Sequence, residues 1–432
     1  MATTTHSTIR FAPYNVGRWL LWGFTALVFI LAPVVFSGGF AITLLSQMGI
    51  MIIFALSYNM IFGQGGMLSF GHAVFSGLGA YFAIHALNWV GDGRLWVPVT
   101  LIPLVGGLFG AVFGVIFGYL ITKKAGTTFA MITLGIGEMV FAASLMFPGF
   151  FGGEGGISSN RVVGEPFFGI TYGPTIQVYY LIAAWCFVCM IAMFAFSQTP
   201  LGRISNAVRD NPERAEFIGY NTQRVRFLVV VVSAFFAGIS GGLAAINFEI
   251  VTAENVSALR SGGVLLATFI GGSMVFFGPV IGSIIFIFFA VALSEYTNAW
   301  QFYLGVFFIL MVMYAPGGVA SLVLMNLRVV QHKLFGRLLR PYVGVLLASA
   351  LMLVGLIMLV EMSYHMTLNF AAGARMSLFG IEFEANRWSA WAVALLVTLA
   401  GAAAFDWQRR RFSREWGDVQ ALIETGGQRA RV

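Results

Sequence analysis

Few residues in this sequence have side chains able to do chemistry inside so apolar a chain. Glu138, in TLGIGEMVF, lies about ten residues into an apolar run, where a charge is costly and mostly functional. It suits two roles, the lining of a pathway or a protonated, hydrogen-bonded place in the packing. Glu295, in VALSEYTNAW, lies close to the end of its run, and snorkelling to an interface accounts for it. Asn59, Gln64, Ser69 and His72 gather in SYNMIFGQGGMLSFGHAVFSGLGAY, and Thr133 is a further polar group in an apolar setting. They suit contact with a solute or the satisfaction of backbone groups freed at a helix break. Cys186 and Cys189 have the C-x-x-C spacing of redox and zinc motifs, but with no second pair and no polar setting they read as small core residues. The five histidines are scattered, and neither H-E-x-x-H nor G-x-S-x-G occurs. No G-x-x-x-x-G-K-[ST] loop is present to cradle a nucleotide, so hydrolysis of ATP by this chain alone is not expected. No catalytic residue, metal site or cofactor of its own is predicted.

One stretch departs from the rest. GRISNAVRDNPERAEFIGYN, Gly202 to Asn221, holds Arg203, Arg209, Asp210, Glu213, Arg214 and Glu216 in a chain of which 9% is charged. Ile204, Ala207 and Val208 fall at helical spacing with Arg203 and Arg209 flanking them. Asn211 is a good N-cap, Pro212 suits the first helical position, Glu213 complements the helix dipole and Gly219 stops the turn. Two short helices with a sharp corner are predicted, presenting an apolar ridge within a charged frame to a soluble partner. Three basic and three acidic residues sum to zero, which argues against an anchor for anionic lipid.

These groups must be positioned by membrane helices. The 432 residues are 59% hydrophobic, with 43 Phe and 52 Gly, more apolar surface than a soluble domain can bury. Runs long enough to cross an apolar core of roughly 30 Å are read at Trp19–Phe36, Phe40–Phe62, Leu68–Trp89, Val97–Thr122, Thr128–Phe147 and Gln177–Phe196. Six more follow at Phe227–Asn247, Gly263–Phe277, Gly278–Tyr296, Phe302–Tyr314, Tyr342–Glu361 and Trp388–Phe405. The eighth and tenth are short, so the prediction is an all-α polytopic integral membrane protein of about 10 to 12 spanning helices, with nine as the lower limit. The net charge of +7 serves orientation rather than nucleic acid. With the N-terminus in the cytoplasm, nineteen of the 24 basic residues fall on the cytoplasmic side, among them Arg10, Lys123, Lys124, Lys333 and the tail arginines. Arg94, Arg161, Arg260, Arg375 and Arg387 fall on the other. Both termini are therefore expected in the cytoplasm.

Glycine punctuates the spans. Gly63, Gly65 and Gly66 end one helix, while Gly71, Gly77 and Gly79 let the next pack closely. FFGGEGGISSN, Phe150 to Asn160, lies in a long loop that suits a partner at the outer face, through Glu154, or a plain flexible connector. SGGVLLATFIGGSMVFFGPVIGS reads as a broken helix of the kind that lines sites in transporters.

LSYNMIFGQGGMLSFGHAVFSGLGAY, TTFAMITLGIGE, GGEGGI, the charged stretch, SAFFAGISGGLAA, ATFIGGSMVFFGPVIGS and YAPGGVASL follow one another. In that order, over roughly Phe40 to Leu324, the chain resembles permease subunits of the branched-chain amino acid type of ABC importer, the LivM-like family, which includes urea and short-amide permeases. The resemblance implies a membrane half-transporter paired with a homologous, LivH-like permease. It also implies two cytoplasmic ATPase subunits that bind ATP and Mg, and a periplasmic or lipid-anchored substrate-binding protein. It places the ATPase contact in the charged stretch, on Arg203, Val208, Arg209, Asp210, Pro212, Glu213, Phe217, Ile218 and Gly219. The sequence departs from the family at Gly271-Gly272-Ser273-Met274-Val275, where Gly-Gly-x-Gly-Thr is usual, and in two further spans and a basic tail beyond about Met325. The expected division is a cytoplasmic segment at 1–18, a permease core at 19–325 and an extension at 326–432. The expected function is import of small amino acids, branched-chain first, across the bacterial inner membrane, with Asn59, Gln64, Ser69, His72, Thr133 and Glu138 along the path. Urea, a short-chain amide and an organic or aromatic acid are alternative cargoes. A stand-alone ion-coupled carrier or channel titrating at Glu138 is an alternative mechanism, and a scaffold or receptor without flux is a third reading.

Overall fold

In lipid a helix is the one open-chain element that bonds all its own backbone groups, and helices dominate this chain. The computed structural model describes residues 16–164, 169–332, 334–368, 375–378 and 380–429. Arg10, Lys333 and Arg431, and the first fifteen residues of the expected N-terminal segment, lie outside the described residues. The chain forms two compact units, Met1–Val291 and Ala292–Val432.

The first unit runs α1 (Val16–Val35), α2 (Gly39–Asn59), α3 (Ala73–Gly91), α4 (Ile102–Ile121), α5 (Thr127–Met146), α6 (Pro148–Phe151), β1 (Ile157–Ser158), α7 (Thr175–Gln198), α8 (Pro200–Asp210), α9 (Pro212–Phe217), α10 (Thr222–Phe248), β2 (Ile250–Val251), α11 (Ala258–Gly271) and α12 (Gly278–Ile287). A π-helical turn, Met60–Gln64, extends α2. The core lies where α2, α3, α4, α7 and α10 meet, around Tyr58, Phe54, Ile84, Leu87 and Ile102. Cys186 and Cys189 are buried, unbonded members of that core.

The closest packing comes from a glycine pattern outside the three stretches singled out in the sequence. Gly106, Gly110, Gly114 and Gly118 repeat every fourth residue on α4 and are buried. Ala234, Gly238 and Gly242 do the same on α10. With lipid as apolar as leucine, such helices associate by van der Waals contact, and small residues let their backbones approach. A Cβ at Gly106 would stand 2.5 Å from the carbonyl oxygen of Gly238, and one at Gly114 would stand 2.7 Å from the Cβ of Ala234. Gly79 brings α3 to the same junction, where a Cβ would stand 2.7 Å from the Cα of Gly238. Three helices are thereby locked backbone to backbone.

Eight helices among the described residues are long and apolar enough to cross a membrane, or nine if the bent pair in the second unit is one span. Three shorter apolar helices, Trp19–Val35, Ala258–Gly271 and Gly278–Leu293, accompany them, and the chain is all-α and polytopic as expected. The runs read at Gly263–Phe277 and Gly278–Tyr296 form helices shorter than 18 residues that meet at a turn. Gly272, with φ of +103°, stops α11, and α12 folds back against it with Gly271 and Gly282 at the contact. The expected broken helix is thus a hairpin of two short helices, the second continued by a π-helical segment at Phe288–Leu293, with Ser273 and Met274 at its corner.

The glycine-rich loop is not a loose connector. Phe150 and Phe151 pack on Tyr81, Phe82 and His85, β1 pairs with β2, and Glu154 stays exposed. Arg161 fastens it by donating to the carbonyls of Tyr172 (2.8 Å), Gly173 (3.2 Å) and Asn247 (3.4 Å), with Glu249 at 3.8 Å.

The second unit contains α13 (Trp300–Tyr314), α14 (Gly318–Gln331), α15 (Phe335–Leu368), a hairpin of β3 (Arg375–Leu378) and β4 (Ile381–Glu384), and α16 (Trp388–Arg429). α13 and α14 meet at a 51° bend. α15 and α16 pack along each other with Gly355 against Thr398 and Gly401 against Met352. At 1.5 Å per residue the 42 residues of α16 extend about 63 Å, twice an apolar core. Its second half, with Arg409, Arg410, Arg411 and Arg414, must leave the bilayer.

Gly238→Val is expected to lower the thermal unfolding temperature of the purified chain in detergent by several degrees, an overpacking effect of about 1–3 kcal/mol. Gly135→Val, at a position with open space around it, should leave it unchanged.

Candidate functional site

The polar residues of SYNMIFGQGGMLSFGHAVFSGLGAY share one interruption in the bundle. α2 widens into the turn Met60–Gln64, residues 65–72 double back without helix, and α3 begins at Ala73. Each unwound residue leaves backbone groups that need partners. Tyr58 donates through its hydroxyl to the carbonyl of Ser69 at 3.1 Å. The Phe70 amide donates to the Thr133 hydroxyl at 3.1 Å, and the Ala73 amide to the Ser261 hydroxyl at 3.0 Å. His72 is fully buried, with Nε2 3.0 Å from the Ser57 hydroxyl and its ring stacked on Phe54.

Four of the expected path residues keep a buried polar atom with no partner among the described residues: Asn59 Oδ1, Gln64 Oε1, Ser69 Oγ and His72 Nδ1. Thr133 belongs to the same cluster but is committed, donating to the Ala130 carbonyl at 2.8 Å while accepting from Phe70. It clamps the interruption. Glu138 stands apart from the cluster. It is exposed, on a face of α5 that also carries Met131, Leu134, Gly135, Met139, Leu145 and Met146. It neither faces the interruption nor packs in the core, which leaves no packing role for it among the described residues. Glu295 is likewise exposed. At the foot of the α5 face, an apolar recess of about 400 Å³ is lined by Gly66, Leu68, Phe70, Ala130, Met131 and Leu134.

The charged stretch folds as the two short helices its capping residues predict. α8 starts earlier, at Pro200, capped by Thr199, whose hydroxyl accepts from the Gly202 amide at 3.2 Å. Asn211 caps α9 by accepting from the Arg214 amide at 2.9 Å, Pro212 is its first residue, and Gly219 follows with φ of +92°. The apolar ridge differs from expectation. Val208 is buried, packing with Ala215, Val225, Leu201 and Ile204, while Ala207 is exposed. The α8 ridge therefore faces the protein's own bundle, because Leu201, Ile204, Ser205 and Val208 share one side at helical spacing. Facing outward instead are Phe217, 89% exposed, and Ile218, 64% exposed, with Arg203, Asp210, Pro212, Glu213 and Gly219 also exposed.

Arg209 joins the two regions. Its Nη1 donates to the carbonyl of Gly63 in the widened turn, and Asp210 holds Nε at 2.8 Å. Ser205 donates to the carbonyl of Gln64 at 3.4 Å. Gly66, with φ of +66°, leaves room for the arginine stem, since a Cβ there would stand 2.6 Å from the Arg209 Cγ. Sequence reasoning found Arg209 but not its acceptor, and it missed Tyr58, Ser205 and Ser261. Nothing in residue type marks them.

Gly66→Ala carries positive-φ strain of about 1 kcal/mol together with the clash against the Arg209 stem. Gly66→Ala should lower the unfolding temperature, and adding Arg209→Ala should remove the part due to the Cγ clash, as a double-mutant cycle of unfolding temperatures reads directly.

Comparison with known proteins bears on what this arrangement serves. Residues 40–315 match the family model described as branched-chain amino acid transport system, permease component. The chain is 26% identical over 290 residues to the high-affinity branched-chain amino acid transport system permease protein LivM of Escherichia coli (strain K12), covering 62% of this chain and 67% of that protein. LivM of Salmonella typhimurium matches to the same extent. The guanosine ABC transporter permease protein NupQ of Bacillus subtilis is 28% identical over 140 residues, 32% of this chain and 41% of that protein. No solved structure matches the chain significantly. With the family model spanning well over half of it, this multi-pass membrane chain belongs to the branched-chain amino acid transport system permease components.

Proposed function

We propose that the chain is a membrane-spanning subunit of an ATP-driven importer of small amino acids, branched-chain first, in the bacterial inner membrane. It works with a homologous permease, two cytoplasmic ATPase subunits that hold ATP and Mg, and a substrate-binding protein at the outer face. Its N- and C-termini and the α8–α9 corner are cytoplasmic. Residues 19–325 are the transport core, and 326–432 are an added extension.

The observation that carries this reading is the bridge from α8 to the widened turn. An ATPase gripping Phe217 and Ile218 would hold the α8–α9 corner from outside, while Arg209 and Ser205 hold carbonyls of Gly63 and Gln64 on the inside. A shift of α8 then pulls on a break lined by Asn59, Gln64, Ser69 and His72. The chain has no nucleotide loop of its own, so this corner is where energy enters. The exposed face of α5 with Glu138 is the surface offered to the homologous permease, and the path runs along that face and the recess beside it. Glu138, outward and accepting no hydrogen bond among the described residues, fits a wall shared between two permeases better than the titrating centre of a stand-alone carrier. Branched-chain cargo rests on the relatives that match most of the chain, and the guanosine permease covers less of it.

In proteoliposomes containing the assembled importer, Arg209→Glu and Phe217→Asp should each abolish ATP-driven uptake of radiolabelled leucine. Co-purification of the ATPase subunits should weaken while the two permeases remain together. Uptake by the purified single chain with no ATPase present would reject the importer reading.

A further inference from the structure

Arg260 is expected from its charge to lie in a loop on the far side, yet it stands inside the bundle. The chain leaves α10 at Phe248, pairs β2 with β1 near Asn88 of α3, and then descends along α3 to Asn255 and Val256 beside Gly77. From Asn88 to Gly77 is about 16 Å of helix at 1.5 Å per residue. α11 starts there, at half depth along α3, capped by the Ser257 hydroxyl, which accepts from the Arg260 amide at 3.3 Å. The start of α3 lies alongside, tied by the bond from the Ala73 amide to Ser261. The first turns of two helices, each the positive end of a helix dipole, thus lie side by side within the bundle.

Arg260 adds a full charge at that point and is not neutralised there. Its Nη1 donates to Asn255 Oδ1 at 3.0 Å, and its guanidinium lies 5.8 Å from the Phe54 ring, the ring on which His72 stacks. Its Nε is buried with no partner, as is Nδ1 of the fully buried His72. No carboxylate among the described residues lies within 4.0 Å of it, and the neighbouring Glu254 is exposed. Arg161 makes the contrast. In the glycine-rich loop, its side chain is spent on three carbonyls and Glu249. An arginine with no counter-charge, in the first turn of one helix and beside the first turn of another, suits an anion, and its planar fork matches a carboxylate.

We propose that Arg260 and the adjoining first turns of α3 and α11 hold the carboxylate of the solute midway along its path. The cargo is then a carboxylate-bearing solute rather than urea or a neutral amide. This deepens, and rests on, the reading of the chain as a solute permease.

The test uses the full-length chain in phosphatidylcholine nanodiscs, with phenylglyoxal modification of Arg260 counted by mass spectrometry. Leucine and benzoate are compared with leucinamide and benzamide at equal concentration, and the series is repeated with phosphatidylglycerol. At saturating ligand, at least one carboxylate should slow labelling of Arg260 about fivefold or more, with its amide inert and Arg161 unaffected. Protection by benzoate but not leucine upholds the carboxylate site and rejects only the branched-chain cargo. Absence of labelling in the ligand-free chain, equal effects of acid and amide, or protection by phosphatidylglycerol alone overturns the proposal, the last assigning the site to lipid phosphate. In the assembled importer, Arg260→Gln should reduce uptake of the protecting carboxylate about tenfold or more, with ATPase subunits still bound. Unaltered uptake by that variant also overturns it.

Discussion

Backbone groups freed inside an apolar bundle must find partners, because no water is there to supply them. The interruption between α2 and α3 frees several at once, and its partners come from four different helices. Tyr58 of α2 holds the Ser69 carbonyl, Thr133 of α5 the Phe70 amide, Ser261 of α11 the Ala73 amide, and Arg209 of α8 the Gly63 carbonyl. Only the last is held from the surface, by a helix that carries the exposed corner. Displacing α8 therefore either carries the turn with it or leaves a carbonyl unpaired at a penalty of about 1–3 kcal/mol.

Such a break is useful only against something that does not move. The glycine stripes of α4 and α10, with α3 seated at Gly79, supply that frame, since backbones in direct contact have no flexible side chains between them to yield. α5 is the opposite case. It touches the frame lightly and presents a face with Glu138 outward. A rigid trio beside a poorly covered helix and a hairpin of short helices divides the first unit into parts that hold and parts that can shift.

Much of this was legible from residue types and spacing. Apolar runs mark helices wherever a run and a helix coincide, and the caps at Asn211 and Pro212 fix α9 because capping is local chemistry. The break near Gly272 is signalled by its glycines, whereas hydropathy stays apolar through the turn and does not register it. The orientation of α8 is misjudged for a related reason. Ile204 and Val208 define a ridge, but only tertiary packing decides whether it faces a partner or the protein itself. Glu138 shows the same limit, since depth in a run says nothing about which side of the helix a residue takes. Partners distant in sequence, such as Ser261 for Ala73 and Gly63 for Arg209, carry no local signal. The family resemblance supplied the class, and the interlock between the corner and the break came from the fold.

The most direct test is hydrogen exchange of residues 60–72 in the assembled importer, with a hydrolysis-deficient ATPase in its nucleotide-free and ATP-bound states. Coupling through Arg209 predicts that exchange there changes with nucleotide in the native complex and ceases to respond in Arg209→Ala. Exchange that ignores nucleotide in the native complex, or a response that survives intact in Arg209→Ala, would contradict it.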